Sequence, residues 1–320
     1  MPHKFVMMPP QSDGTRAWAD QIIKTIPDYT VVLPKTDEEA KKELDGADAA
    51  FGTIPADSLA VADNLKWLQA PAAAPRAGYY YDELIAHPLQ VTNFREIYND
   101  HMSMSIMGFV LMFARGFHVY FPNQMRRVWD PANPDIVHLP EATAVIIGVG
   151  GIGSETVHHC HHFGMNVIGV DARREDVPHG ANRLVRPDKL NDVLPEADFV
   201  IMTIPHTPYT EGLMNADKFR LMKNSAYLIN VGRGPTVRLN DLVEALRAGE
   251  IAGAGLDVYE QEPLPSNHPL WDMPNVILTP HTAGCGPYLE ERRTEVLMDN
   301  ARRFAAGKPL RNLVDKANWF

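Results

Sequence analysis

The chain has 320 residues, 45% of them hydrophobic and 22% charged, with a formal net charge of −10. This is an ordinary globular composition, and the length favours two domains over one. The acidic balance excludes nucleic acid as a partner, because no basic field offsets phosphate repulsion, and no window of about 18 apolar residues offers a membrane span.

At the start of the chain, MPHKFVMMPP does not read as a signal peptide, since its apolar run is short and broken by Pro9-Pro10. Residues 1–95 alternate short apolar runs, at 4–8, 30–33, 49–52, 65–69 and 90–92, with helical patterns such as 18–26 and 37–44. Strand-helix alternation at this spacing predicts a parallel sheet with helices on its faces. No glycine-rich phosphate loop occurs in this half. Residues 101–121, HMSMSIMGFVLMFARGFHVYF, then predict one long apolar helix, either a core helix or a dimer interface. The pattern restarts at TAVIIGVGGIG, with strands predicted at 166–170, 198–204, 226–231, 253–257 and 275–278. Helices are predicted at 239–247 and 288–306. The fold class is therefore α/β, with two doubly wound parallel-sheet domains. One comprises 1–100 plus 288–320, the other 101–287. The two cysteines, Cys160 and Cys285, form no metal-type spacing; with 14 methionines they point to a reducing cytoplasm.

The stretch Gly148-Val149-Gly150-Gly151-Ile152-Gly153 fits G-x-G-x-x-G. It follows an apolar strand and opens a helix at 154–163, and a second strand ends in Asp171, 18 residues after Gly153. That βαβ context is the signature of a dinucleotide site. Gly148 permits the turn, Gly150 lets backbone approach a pyrophosphate, Gly153 lets helix pack on strand, and the helix N-terminus faces the anion. Asp171 accepts from an adenosine ribose and repels a 2′-phosphate, favouring NAD. Arg173 and Arg174 are suited to holding that phosphate, which keeps NADP open. His158, His159, His161 and His162 lie on the helix behind the loop, with Val157, Cys160 and Phe163 predicted inward. They read as a solvated face rather than a metal site.

Downstream, Arg233 in NVGRG, Glu262 in DVYEQEP and His281 in TPHTAG each follow a predicted strand. Ligands of an open α/β sheet bind beyond the strands' carboxyl ends, so the three should converge on the cofactor. The order GVGGIG, Asp171, NVGRG, DVYEQEP, PLW, TPH resembles the D-isomer-specific 2-hydroxyacid dehydrogenases over nearly the whole chain. The resemblance implies that Arg233, Glu262 and His281 are catalytic. It implies dinucleotide contacts from Gly151, Ile152, Gly153, Asp171, Arg173, Ile204, Pro205, Thr210, Val231, Gly232, Arg233, Asp257, His281 and Gly284. It also implies a flavodoxin-like substrate-binding first domain, a Rossmann NAD-binding second domain, and a homodimer through the 101–121 region. The chemistry explains the residue types. Reduction of a 2-oxo acid needs a permanent cation for the carboxylate, which Arg233 provides. It needs a proton donor near neutral pH, which His281 provides, with Glu262 to orient its imidazole and favour the imidazolium.

The chain departs from the family in APAAAPRAGYYYD, residues 70–82. Ala74 stands where a glycine is expected beside Ala73, Pro75 offers no N–H, and Arg76 replaces an expected Asp. Ala73, Ala74, Arg76 and Arg233 are the candidate substrate residues, whereas Tyr79, Tyr80 and Tyr81 are expected to pack on their own domain. The expectation is an NAD-dependent oxidoreductase of a small 2-oxo acid. Its rivals are a dinucleotide-sensing corepressor-like protein and a formate-dehydrogenase-like enzyme, the latter usually carrying Gln where Glu262 stands.

Overall fold

The computed structural model describes residues 2–73, 78–131 and 134–319. The chain divides into two compact units, Met1–Ile97 with Pro287–Phe320, and Tyr98–Gly286.

In the first unit β1 (His3–Met7), α1 (Asp13–Thr25), β2 (Tyr29–Val32), α2 (Asp37–Leu44), β3 (Ala49–Phe51), α3 (Ala56–Leu59), β4 (Trp67–Gln69), α4 (Asp82–Ala86) and β5 (Gln90–Thr92) follow one another. The strands form one sheet in the order β2-β1-β3-β4-β5, with every pair parallel. This is the flavodoxin-like order of doubly wound folds. Val6, Ala50, Leu68 and Val91 are register partners across four strands and share one buried cluster, as the two-residue period of a strand requires. On the opposite face Ala49 lies between Phe5 and Trp67 in register. Its small side chain lets those rings stack at 5.3 Å. Helix α1 starts where Ser12 and Thr15 cap each other reciprocally.

The second unit opens with α5 (Asn99–Ala114) and α6 (Phe117–Met125). The single helix expected over 101–121 is thus two, bent by 75° at the break. Gly116 causes the bend: its φ is +68°, and a Cβ there would lie 2.1 Å from Pro134 Cγ. Helix α5 is the core helix, burying Ile106, Phe109, Val110 and Phe113. Gly255 leaves room for the Phe109 ring, 2.7 Å from where its Cβ would stand. Of the large apolar residues that remain exposed, Met104 lies on α5 and Phe117, Phe121 and Met125 on α6. Among the described residues, no single helix is long and apolar enough to cross a membrane.

After α6 come β6 (Thr143–Ile147), α7 (Gly151–His162), β7 (Asn166–Val170), β8 (Arg183–Val185), α8 (Leu190–Val193) and β9 (Phe199–Met202). Next are α9 (Ala216–Phe219), β10 (Tyr227–Asn230), α10 (Leu239–Ala248), β11 (Gly253–Leu256) and β12 (Val276–Leu278); α11 (Leu289–Ala305) belongs to the first unit. The second sheet runs β12-β11-β10-β9-β6-β7-β8, all parallel. Its topological switch lies between β6 and β9, where an open α/β sheet holds its ligand. Val145, Ile147, Val200 and Met202 face one core, and Ala144, Ile146, Phe199 and Ile201 the other. Covered on both faces, these strands read in sequence as unbroken apolar runs. Helix α7 starts at Gly151 rather than at 154. Phe163, expected inward, is exposed because α7 has ended and Phe163 is its C-cap.

Candidate active site

The glycine loop joins β6 to α7. Gly148 has φ +92°, and a Cβ at Gly153 would stand 1.9 Å from the Gly148 carbonyl oxygen, so α7 packs on the loop only without a side chain there. A Cβ at Gly150 would meet nothing within 4 Å. The space over Gly150 and the N-terminus of α7, which has no side-chain cap, together form an anion cradle that a side chain would fill. Gly151 instead packs against the Asn99 side chain. The loop therefore fits a dinucleotide pyrophosphate.

Asp171, at the end of β7, is tied into this loop. Its Oδ2 accepts from Val149 N at 2.7 Å, and its Oδ1 from Arg173 N at 2.8 Å and Arg174 N at 2.9 Å. Burial opposes its ionisation, but these backbone N–H groups and the Arg174 charge outweigh it and hold the carboxyl below the usual range. Arg174 acts as a strut, donating to Ser154 Oγ at 2.8 Å and to Asp176 Oδ2 at 2.7 Å. A recess of about 620 Å³ beside it is lined by Arg173, Arg174, Arg186, Leu184 and Val185, among others. On α7 His159 lies 3.6 Å from Glu155 and His161 packs against His179. No group of three metal-ligating side chains occurs among the described residues.

Arg233 follows β10, and its glycine neighbours have a packing reason. A Cβ at Gly232 would lie 2.5 Å from Ile204 O, and one at Gly234 1.8 Å from Tyr259 O. The turn is thus wedged between the ends of β9 and β11. Asn230, which closes the apolar strand, binds both sides of the turn through Gly232 N at 3.0 Å and Arg233 O at 3.2 Å. Thr236 Oγ1 also donates to Arg233 O. The guanidinium donates to Gly232 O at 2.6 Å. Burial lowers its pKa from the usual value, while the charge of Glu262 and the Tyr98 phenol act against that.

His281 follows β12 with a φ of +55°. Its Nδ1 is 2.7 Å from Glu262 Oε2, and Glu262 Oε1 accepts from Tyr259 N at 3.0 Å. One carboxylate oxygen is fixed to backbone and the other to the imidazole. The ring is thereby oriented with Nε2 away from Glu262.

Ile204 joins the two halves of this arrangement, since Cβ atoms at both Gly148 and Gly232 would strike it. Thr210 Oγ1 pins the turn after it by donating to Pro205 O at 2.8 Å. Val231 is buried in the core, which leaves only its backbone for a ligand. Gly284 packs near Tyr98. In the first unit Ala73 O accepts from Asn93 Nδ2 at 2.7 Å, while Ala74, Pro75 and Arg76 lie outside the described residues. Tyr79 and Tyr81 donate to Gly52 O and Ile54 O, each at 2.8 Å, so these two rings pack on their own unit. Sequence reading missed Arg293, which donates to Pro71 O at 2.6 Å and lies over the Phe94 ring at 5.1 Å. No local pattern links residues so far apart in the chain.

Residues 107–283 match the model of the D-isomer specific 2-hydroxyacid dehydrogenase NAD binding domain. The chain is 31% identical over 319 residues to an uncharacterized protein of Corynebacterium melassecola, covering 98% of each. It is 33% identical over 245 residues to a glyoxylate reductase of Pyrococcus horikoshii, covering 73% of this chain and 72% of that one. Among solved structures it is similar to a D-isomer specific 2-hydroxyacid dehydrogenase of Xanthobacter autotrophicus in complex with NADPH and MES, at a TM-score of 0.86, 28% identity and full coverage of both chains.

Proposed function

Because the chain belongs to the D-isomer-specific 2-hydroxyacid dehydrogenase family, we propose that it reduces a small 2-oxo acid to the D-2-hydroxy acid, with Arg233, Glu262 and His281 as its catalytic group. The observation that carries this reading is the 2.7 Å pair of Glu262 and His281, together with a half-buried arginine at a neighbouring strand end. The unit of Tyr98–Gly286 binds the dinucleotide, which supplies the hydride; the other unit is the substrate-binding domain. Arg233 takes the substrate carboxylate, a match for its planar fork of donors. His281, protonated, gives its Nε2 proton to the oxygen of the former carbonyl. Glu262 holds Nδ1 and offsets the imidazolium charge. The glyoxylate reductase similarity points to oxo acids of two or three carbons. Steady-state turnover of NADH and NADPH with glyoxylate, hydroxypyruvate and pyruvate tests the reading: at least one pair must turn over.

The adenosine ribose docks against Asp171 in this reading, and NAD is the preferred dinucleotide. Support comes from the ionised carboxylate, whose Oδ2 accepts from Val149 N and retains acceptor capacity. Asp171→Asn keeps a turn acceptor and removes the charge. It is expected to tighten NADPH and weaken NADH, moving the ratio of their dissociation constants by about tenfold, the size of one charge-assisted hydrogen bond. A wild-type protein that already prefers NADPH contradicts the assignment.

A second copy of the chain covers α6 in the same reading. Phe117, Phe121 and Met125 are exposed and spaced four residues apart, so they share one helix face, with the first two rings stacked at 5.4 Å. Phe121→Glu is expected to convert a dimer to a monomer in sedimentation velocity. A wild-type monomer at micromolar concentration rules out this role for α6.

A further inference from the structure

Asp257 follows β11 directly and is 1% exposed. Its carboxylate is committed to one loop. Oδ1 accepts from Thr279 Oγ1 at 2.6 Å and from Thr282 N at 2.8 Å, and Oδ2 accepts from Ala283 N at 2.9 Å. Its backbone carbonyl accepts His281 N at 2.8 Å. Four of the five residues from 279 to 283 therefore hang on this one residue. The loop needs such an anchor, because His281 sits at φ +55°, a left-handed conformation that a non-glycine residue keeps only where its surroundings hold it. Ser105 Oγ adds a bond from α5 to Ala283 O at 3.1 Å, and the Tyr259 hydroxyl another to Thr279 O at 2.8 Å. Glu262 fixes the imidazole but not the backbone that carries it.

We propose that Asp257 is the positioning residue of His281: its buried carboxylate gathers Thr279, Thr282 and Ala283 and so holds the histidine in its left-handed turn against Glu262. The family resemblance gives Asp257 a different part, a dinucleotide contact; the three loop bonds to its carboxylate support the anchoring part instead. The proposal rests on the catalytic role of His281.

Two variants test it in the whole chain. Asp257→Asn keeps the shape but must turn an amide N–H toward the Ala283 N–H or the Thr282 N–H. Thr279→Val removes one donor and leaves both backbone bonds. Hydrogen exchange of the 281–283 amides, followed by mass spectrometry without dinucleotide, reads the anchoring directly. Asp257→Asn is expected to speed that exchange by about tenfold or more. It should lower kcat by roughly ten- to a hundredfold and leave the NADH dissociation constant within about threefold, a difference below one hydrogen bond. Thr279→Val should move exchange and kcat in the same direction by less, and decides the matter if Asp257→Asn does not fold. Unchanged exchange with weakened NADH binding overturns the proposal in favour of a dinucleotide contact. Faster exchange with unchanged kcat overturns it as well. A fully active His281→Ala would instead remove the catalytic reading, and the exchange data would still report whether Asp257 anchors the loop.

Discussion

Arg233→Ala is expected to lower kcat/KM for 2-oxo acids by about two to four orders of magnitude, the cost of leaving one partner of a buried ion pair alone. The guanidinium is permanently charged, and its partial burial makes a carboxylate partner worth more than at a fully exposed surface. Its backbone seat is built independently of its side chain, from Asn230, Thr236 and the close approach of Gly232 and Gly234 to neighbouring strands. The alanine variant should therefore fold and bind dinucleotide as the wild type does. Arg233→Lys keeps the charge without the planar fork and should fall between the two. Steady-state kinetics beside a fluorescence titration with NADH separate the outcomes. Activity of the alanine variant within about threefold of wild type, a change too small for a lost charge-assisted bond, would remove Arg233 from the substrate site.

His281→Ala should abolish measurable reduction, because it removes the proton donor that Glu262 orients. Glu262→Gln is the more informative change. It preserves size and an acceptor for Tyr259 N, but removes the negative charge that faces Nδ1 at 2.7 Å. The sign follows from the charge. A carboxylate beside the imidazole favours its protonated form, and reduction requires that form. Losing the carboxylate makes the imidazolium easier to deprotonate, so the alkaline limit of kcat/KM should move to lower pH. The groups facing this pair are Arg233, which feels the charge of Glu262, and Tyr259, whose hydroxyl is bound to Leu256 O and Thr279 O. Both remain in the variant. An unmoved pH profile in Glu262→Gln contradicts the role given to Glu262.

Much of the architecture is legible in sequence because parallel strands covered on both faces are bare apolar runs. The apolar runs at 90–92 and 166–170 coincide with β5 and β7, and the helical pattern at 37–44 with α2. What local pattern cannot supply is long-range. The break between α5 and α6 depends on Pro134 lying against Gly116, and hydropathy alone sees one continuous apolar stretch. The edge strand β8 carries an exposed arginine and is only partly buried, so it lacks the apolar signal. In the candidate site, residue types and order are legible: a charged side chain between two glycines, and Glu and His after successive strands. Which backbone those glycines admit, that of Ile204 and Tyr259, is not. The commitment of Asp257 to the loop of His281 is likewise invisible in sequence, since its partners lie more than 20 residues downstream.

The central claim is that this chain itself transfers a hydride to a 2-oxo acid, rather than only sensing a dinucleotide. The direct measurement is a single turnover. Protein in excess over bound NADH or NADPH is mixed rapidly with glyoxylate or hydroxypyruvate, and the 340 nm absorbance is followed while product is quantified. The account predicts exponential loss of the reduced dinucleotide, one 2-hydroxy acid formed per dinucleotide oxidised (achiral glycolate from glyoxylate, D-glycerate from hydroxypyruvate), and loss of the transient in Arg233→Ala and His281→Ala. A dinucleotide that binds and stays reduced with every 2-oxo acid offered would contradict it.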